Sequence, residues 1–591
     1  MNYIVDAKQM REIDRRTIEE IGIPALVLME RAAEAVAAQA EKMAEEFGGR
    51  KSAQILAVCG SGGNGGDAAA AARILHLRGY SVEILAAFRG WNGVLDGKED
   101  TAGQPADGEG TVQRPVCGEG TVQQSAGGKE TAQQPACGEG TAQQPAGGKE
   151  TAQQPACGES TARQLAIAAK CGVPECARTG KGIDFSSYHI LLDGIFGVGL
   201  SREITGEYRE LIEKMNGSGA KILAVDIPSG IDGSSGRCLG VCVNADCTVT
   251  FGEKKLGQLV YPGAGACGEL LLADIGFPPF LTAEAEKMSD CSYLTYTEED
   301  ICRLPARHAH SHKGSYGRVL IFAGSEEMTG AAYLAAAAAC RCGTGLVKLV
   351  SAPGCADTVR RMLPEALVQE LPEALAQKQT EVLHSFWREQ VDWADAVLAG
   401  PGIGTGEAAR RALSALLDAA GKQKKPLVLD ADALNLLAKE LGDAAGSGET
   451  EAEQRLSRLS RLLPEGTVLT PHPKELSRLT GRPVSMICEH FVDTAKQCLY
   501  NNKLIYVLKD ARTIVAGEGA LYVNTSGCDG MATGGSGDVL AGMIAGLLTG
   551  MEPAPAARLG VYLHGLAGER AARERGRRGM LAGDIVEALR W

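Results

Sequence analysis

The chain has 591 residues, 45% of them hydrophobic, and a formal net charge of −13. At roughly 150 residues per domain this length calls for two or more domains, each able to bury a sizeable core. The acidic balance excludes the broad basic face that nucleic acids or anionic membranes require, so phosphate ligands must be met by local backbone nests and a few cations.

Eighteen cysteines scattered over so long a chain, with no Cys-x-x-Cys pair, are expected to be reduced thiols. The opening "MNYIVDAKQMREIDRR" has no apolar signal region, and no run reaches the roughly 18 apolar residues of a membrane span. A cytoplasmic soluble protein is expected.

In chain order, Met10, Ile13 and Ile21, then Leu28, Met29, Ala32 and Val36, mark two amphipathic helices. An apolar run, "AQILAVC", then meets the glycine knot "GSGGNGGD" (60–67), and an alanine-rich helix follows. Such a turn closes backbone N–H groups on a phosphate at a helix N-terminus. "SVEILAAF", "YHILLDGIF", "AKILAVDIP", "CTVTF" and "ELLLADIG" are further strands, and their alternation with helices predicts a parallel sheet covered on both faces.

Between the strand ending near Phe88 and the helix in "TARQLAIAAKCG", residues 97–160 repeat a ten-residue unit such as "TAQQPACGEG". The unit has almost no large apolar side chain and cannot bury a core by stacking, so a disordered insert is expected. Its recurring Cys117, Cys137 and Cys157 are expected to be solvated thiols.

The polar stretch "LTAEAEKMSDCSY" is the expected boundary, giving domains of 1–290 and 291–591. Beyond it the pattern restarts with "RVLIFAGS", "GLVKLVSA", "DAVLAGPGIG", "PLVLDADALNLL", "TVLTPHPKEL", "LIYVLKD" and "TIVAG", and a glycine-led helix comes last.

Two places carry chemistry. In the first half, "GSGGNGGD", "DGIFGVG" (193–199) and "DIPSGIDG" (226–233) each end a strand, and ligands of open parallel sheets bind outside such ends. Asn64, Asp193 and Ser229 offer hard oxygens with little charge, a set suited to a monovalent or other hard cation and not to zinc. In the second half, Gly534, Gly535, Ser536 and Gly537 lead into a helix, so successive N–H groups face an anion at its positive end. Asp538, at the start of that helix, can cap it or, behind such an anion hole, act on a hydroxyl.

The three N-terminal clusters resemble those of the NAD(P)H-hydrate epimerase family, whose first loop usually has the pattern G-x-G-N-N-G-G-D-G. Here Gly63 stands for the first Asn and Ala68 for the closing Gly. The resemblance implies a Rossmann-like domain that inverts the hydrated carbon of the reduced nicotinamide ring. It implies potassium at Asn64, Asp193 and Ser229, with Asp193 as the acid–base group and Asp226 as a substrate hydrogen-bond partner. It implies substrate contacts from Gly63, Asn64, Gly65, Gly66 and Asp67, and from Gly197, Val198, Gly199, Leu200, Ser201, Arg202 and Glu203.

The C-terminal motifs "HKGSYGRVLIFAGS", "AGPGIG", "LDADALN", "TPHPKEL" and "MATGGSGDVLAG" resemble the ADP-dependent NAD(P)H-hydrate dehydratase family of the ribokinase-like fold. That resemblance implies that Ala331, Gly402, His472 and Asp538 contact the hydrate. Lys509, Asp510, Ala511, Arg512 and Thr513 match the family's nucleotide segment K-G-x-x-T, with Asp510 in place of the Gly, and Gly537 touches the same nucleotide. ADP, with magnesium across its phosphates, would phosphorylate the ring hydroxyl, and Asp538 would activate that hydroxyl.

Together these imply two three-layer α/β/α domains that repair hydrated NADH and NADPH (NADHX and NADPHX), acting as a homo-oligomer without nucleic acid or membrane. A ribokinase-like vitamin-precursor kinase with an N-terminal nucleotide-binding regulatory domain is the alternative.

Overall fold

The computed structural model describes residues 2–88, 157–176, 183–287, 291–372, 380–442, 449–500 and 503–591. Its strands, in chain order, are β1 (Asn2–Tyr3), β2 (Gln54–Cys59), β3 (Ser81–Ala86), β4 (Ile190–Gly194), β5 (Lys221–Val225), β6 (Cys247–Phe251) and β7 (Glu269–Ala273). There follow β8 (Ser292–Thr295), β9 (Arg318–Phe322), β10 (Leu346–Ser351), β11 (Leu367–Glu370), β12 (Ala396–Ala399) and β13 (Leu427–Leu429). The last are β14 (Val468–Leu469), β15 (Ile505–Leu508), β16 (Ile514–Gly517) and β17 (Ala520–Val523).

The first sheet has the order β3-β2-β4-β5-β6-β7 and is parallel throughout. From β2 the chain steps outward to β3; from β4 it steps the other way. The strand order therefore reverses between β2 and β4, and the crevice outside their carboxyl ends receives both the glycine knot and "DGIFGVG".

The second sheet has the order β1-β8-β17-β16-β15-β14-β13-β12-β9-β10-β11. From β11 to β15 it is parallel, and β16 and β17 close it in antiparallel pairing. Its reversal lies between β9 and β12, beside the turn Gly400–Gly404. Alternate residues of β9 feed opposite cores: Leu320 and Phe322 join Trp387 on one face, Val319 and Ile321 join Val539 and Tyr562 on the other. That period of two is what a strand buried on both faces requires. Helices Thr329–Arg341 and Ser536–Leu547 cross so closely that a Cβ on Gly542 would lie 2.1 Å from the Ala335 carbonyl oxygen.

All six strands expected in the first half form, as do the seven expected in the second. Four further strands appear: β1, β8, β11 and β17. β1 pairs antiparallel with β8, so the first residues of the chain complete the edge of the second sheet. Immediately afterwards the Val5 N–H donates to the Lys254 carbonyl, the Leu256 N–H donates to the Val5 carbonyl, and the Ala7 N–H donates to Ser234 Oγ.

Two expectations need correction. Ile21 lies beyond the first helix, Ala7–Glu19, and is 46% exposed; Asp6 caps that helix, and Met10 and Ile13 form its buried side. Within the expected boundary stretch, Pro279–Lys287 is a helix whose Leu281 and Ala285 pack on Val5, Met10 and Ile13. The expected insert ends too late: helix Glu159–Lys170 begins inside it, and the Gly158 N–H donates to the Ser61 carbonyl. Most of the repeats, residues 97–156, lie outside the described residues.

Among the described residues every cysteine is a free thiol, and no helix is long and apolar enough to cross a membrane.

Candidate active sites

The first site is built where β2, β4 and β5 end. Asp193, on β4, is wholly buried. Its Oδ1 accepts the Ser229 hydroxyl at 2.6 Å and its Oδ2 accepts the Ser229 N–H at 2.8 Å. The Ile195 N–H adds a longer contact of 3.3 Å to Oδ1. Burial pushes the Asp193 carboxyl up to about 6, and these donors keep it from rising further.

Asn64 opens the helix Gly63–Leu77 and reaches the same place. Its Nδ2 donates to the carbonyls of Val225 at 2.6 Å and Phe196 at 3.1 Å, and Ser229 Oγ lies 3.3 Å from the Phe196 oxygen. Asn64, Asp193 and Ser229 therefore converge. Two backbone carbonyls, invisible in the sequence pattern, join them. With the Asn64 amide turned so that Oδ1 rather than Nδ2 faces these carbonyls, the set is one carboxylate among neutral oxygens, which fits a weakly held monovalent cation. Among the described residues no group of three His, Cys, Asp or Glu side chains could hold a metal ion.

Glycines make room for this convergence. A Cβ on Gly197 would lie 2.7 Å from Asn64 Oδ1, and one on Gly194 would lie 2.5 Å from the Ala68 Cβ. Ala68 thus packs directly on the strand end. At Gly63 a Cβ would meet nothing within 4 Å, so that position faces open space.

Asp226 leaves β5 at φ +64°, a left-handed conformation costly for a residue with a Cβ. What holds it there is Lys255, a buried residue the sequence patterns did not single out. Lys255 Nζ donates to Asp226 Oδ1 at 2.6 Å, to Thr250 Oγ1 at 2.8 Å and to the Phe251 carbonyl at 2.9 Å. Across from the pair, burial and the charges of Asp226 and Asp14 raise the Asp67 carboxyl well above its ordinary value. Gly65 and Gly66 are buried in the knot; Val198 packs near Ile227 and Ile231. Gly199 has open space at its Cα, the Leu200 N–H closes a turn on the Gly197 carbonyl, and Ser201, Arg202 and Glu203 stand exposed at the surface.

The second site lies at the carboxyl ends of β12 to β15. The helix Ser536–Leu547 starts behind Gly535, which takes φ +92° as only glycine does readily, and Asp538 stands in its first turn. Burial raises the Asp538 carboxyl, the Asp430 charge raises it further, and it reaches about 7 despite the nearby Lys509. Lys509 Nζ lies 2.7 Å from Asp430 Oδ1 and 3.9 Å from Glu475 Oε2. Burial lowers its ammonium, but those two carboxylates outweigh this and its pKa stands above the ordinary value. A Cβ on Gly537 would lie 3.4 Å from Lys509 Nζ, so the glycine turn and the nucleotide segment meet.

His472 caps the helix Pro473–Thr480: its Nδ1 accepts the N–H groups of Lys474 and Glu475. Its other nitrogen, Nε2, lies 3.4 Å from Glu475 Oε1. Burial, then the Lys509 charge, lowers the ring's pKa, which favours the neutral form. Gly402, at φ +63°, nests against the helix that carries Ala331; a Cβ there would lie 3.0 Å from the Ala331 Cβ. The Gly404 N–H bonds Asp432 Oδ2, tying that loop to the next helix. Asp510 and Ala511 are exposed, Arg512 donates to the Thr525 carbonyl at 2.6 Å, and Thr513 Oγ1 donates to the Asp510 carbonyl. Asp430 and Glu475 were not singled out from the sequence, although both lie inside motifs that were.

Residues 319–590 match the family described as NAD(P)H-hydrate dehydratase. Residues 25–101 and 150–257 match the family described as YjeF-related protein N-terminus. The chain is 33% identical over 590 residues to the bifunctional NAD(P)H-hydrate repair enzyme Nnr of Moorella thermoacetica, an overlap of 99% of this chain and 96% of that protein. With its counterpart in Thermofilum pendens the identity is again 33%, over 99% of this chain and 95% of the other. A crystal structure of the ADP/ATP-dependent NAD(P)H-hydrate dehydratase of Bacillus subtilis is 30% identical, covers 50% of this chain and 95% of its own, and superposes with a TM-score of 0.40. With relatives this similar along nearly its whole length, the chain belongs to the family of bifunctional NAD(P)H-hydrate repair enzymes.

Proposed function

We propose that the chain restores hydrated NADH and NADPH in two steps, epimer exchange at the first site and ADP-dependent dehydration of the S hydrate at the second. The observation that carries this reading is Asp538: a carboxyl poised near neutrality, in the first turn behind a glycine-rich helix start, beside Lys509.

At the second site Asp538 takes the proton of the ring hydroxyl as that oxygen attacks the terminal phosphorus of ADP. The products are AMP and a phosphorylated hydrate, and loss of inorganic phosphate then regenerates the reduced ring. The glycine turn and Lys509 offset charge on the transferred group. Magnesium, carried on the nucleotide's phosphates, would add positive charge there. Gly402 and Ala331 form the wall against which the hydrate lies, and neutral His472 hydrogen-bonds it.

At the first site Asn64, Asp193 and Ser229 would hold potassium, which supplies a fixed positive charge beside the substrate. Asp193 serves as the acid–base group, oriented by Ser229. Asp226, fixed by Lys255, hydrogen-bonds the substrate, and the glycine knot passes close to its phosphates.

The test is incubation of chemically hydrated NADH, as mixed epimers, with and without ADP. Reduced-nicotinamide absorbance should return only with ADP, in step with phosphate release, until the whole pool is consumed. A phosphorylated product that accumulates without phosphate release would establish a kinase instead.

A further inference from the structure

Beside the second site lies a cleft of about 540 Å³ lined by Thr405, Asn435, Lys439, Arg455, Ser477 and Arg478, with Ala438, Gly442 and Gly481. Three cations converge on it, and no carboxylate is among its described lining residues. In a chain with 73 acidic and 60 basic residues this runs against the overall balance.

The three cations are held, but by neutral groups. Arg455, 6% exposed, donates to the carbonyls of Leu479, Gly442 and Arg478 at 2.8–3.0 Å. Arg478 donates to Asn435 Oδ1 at 2.7 Å, and Lys439 to the Thr405 carbonyl at 3.2 Å. Arg455 is thereby committed to backbone carbonyls, whereas Lys439 and Arg478 are exposed; among the described residues neither of these two forms an ion pair, although the Arg478 charge also acts on Glu475. The nearest acid on the Arg478 helix, Glu475, is buried and turned to Lys509 and the His472 N–H.

The cleft shares three elements with the substrate residues. Thr405 follows Gly402 in one loop. Asn435 stands on the helix Asp432–Glu440, whose Asp432 holds the Gly404 N–H. Arg478 stands on the helix capped by His472, about 9 Å along its axis at the usual rise per residue. A long substrate seated at Gly402 and His472 can extend into it.

We propose that this cleft is the subsite for the ribose 2′-phosphate, the group present in hydrated NADPH and absent from hydrated NADH. The inference rests on the reading of the second site as a hydrate dehydratase. A phosphomonoester carries nearly two charges near neutral pH, whereas each phosphorus of the bridging diphosphate carries one. Lys439 and the Arg478 guanidinium fork, with the buried charge of Arg455 behind them, match the former.

The test uses the full-length enzyme with Lys439→Ala and Arg478→Gln, both exposed positions that leave the core intact. Each should raise the KM for the NADPH hydrate about tenfold, the worth of one charge-assisted contact, while kcat and the KM for the NADH hydrate hold. Calorimetric titration with NADPH and NADH gives a readout without turnover: each variant should weaken NADPH alone. Equal losses for both cofactors, or none for either, would overturn the subsite. A wild-type enzyme that binds NADPH through these residues yet dehydrates nothing would instead refute the reading on which the inference rests.

Discussion

Asp193 and Asp538 are both carboxyls held above their ordinary range, and they get there differently. Around Asp193 the environment is dry but neutral: burial lifts it, and the hydroxyl and N–H of Ser229 pull it back to about 6. Around Asp538 the environment is charged: burial and then Asp430 lift it to about 7, against Lys509. A carboxyl set by short hydrogen bonds depends on the shape of its immediate partners. One set by neighbouring charges responds to charge changes it does not touch. The first site should therefore fail through geometry and the second should drift through electrostatics.

The largest way to separate them is Asp538→Asn, which keeps size but removes the base. Dehydration of the S hydrate should fall at least about 100-fold, with epimer exchange unaffected. Near-normal dehydration would sink the phosphorylation chemistry. Asp193→Asn is the converse, with epimer exchange reduced about 100-fold. Supplied with mixed epimers and ADP, it should convert part of the pool promptly and then stall; complete, fast conversion would remove Asp193 from catalysis.

Exchanging potassium for a bulky organic cation should slow epimer exchange several-fold and leave Asp193→Asn no worse. Rates indifferent to the cation would disprove the ligand set of Asn64, Asp193 and Ser229. The smallest effect concerns pH. A base must be deprotonated, so dehydration should rise with pH through about 7, and epimer exchange through a more acidic limb, because a bound cation favours the ionised form of Asp193. Asp432→Asn removes a negative charge that raises Asp538, so it should shift the dehydration limb downward by a fraction of a unit. The epimerisation limb should stay in place. A dehydration profile that ignores Asp432 would mean that burial, Asp430 and Lys509 set Asp538 without it.

What could be seen in advance follows the same division between local and distant causes. Apolar runs ended by glycine, such as "AQILAVC" before the knot, marked strands and site together, because the turn after a buried strand needs glycine where the ligand approaches. Asn64, Asp193, Ser229 and Asp538 were legible because each lies within or beside such a glycine-marked stretch. Lys255 was not, for it follows a different strand and is drawn inward by Asp226, Thr250 and the Phe251 carbonyl. The Phe196 and Val225 carbonyls carry no side-chain signature at all. Asp430 stood within "LDADALN", but its role depends on Lys509, 79 residues away. Among strands, β1 (NY) and β8 (SYLT) were missed because neither lies in an apolar run. Their pairing exists only once the chain has returned.

That return has a consequence for taking the molecule apart. Asn2 and Tyr3 are hydrogen-bonded partners of Thr295 and Leu294, while Val5 and Ala7 bond the segments at Lys254, Leu256 and Ser234. Fewer than ten residues thus belong to both sheets' surroundings at once. A peptide bond cut between Lys287 and Cys291 would leave the edge strand of the second sheet on the first fragment, so the pieces would behave as a complementing pair. Expression of the second half from Ser292 onward would present β8 as a raw edge, open to any strand that can pair with it.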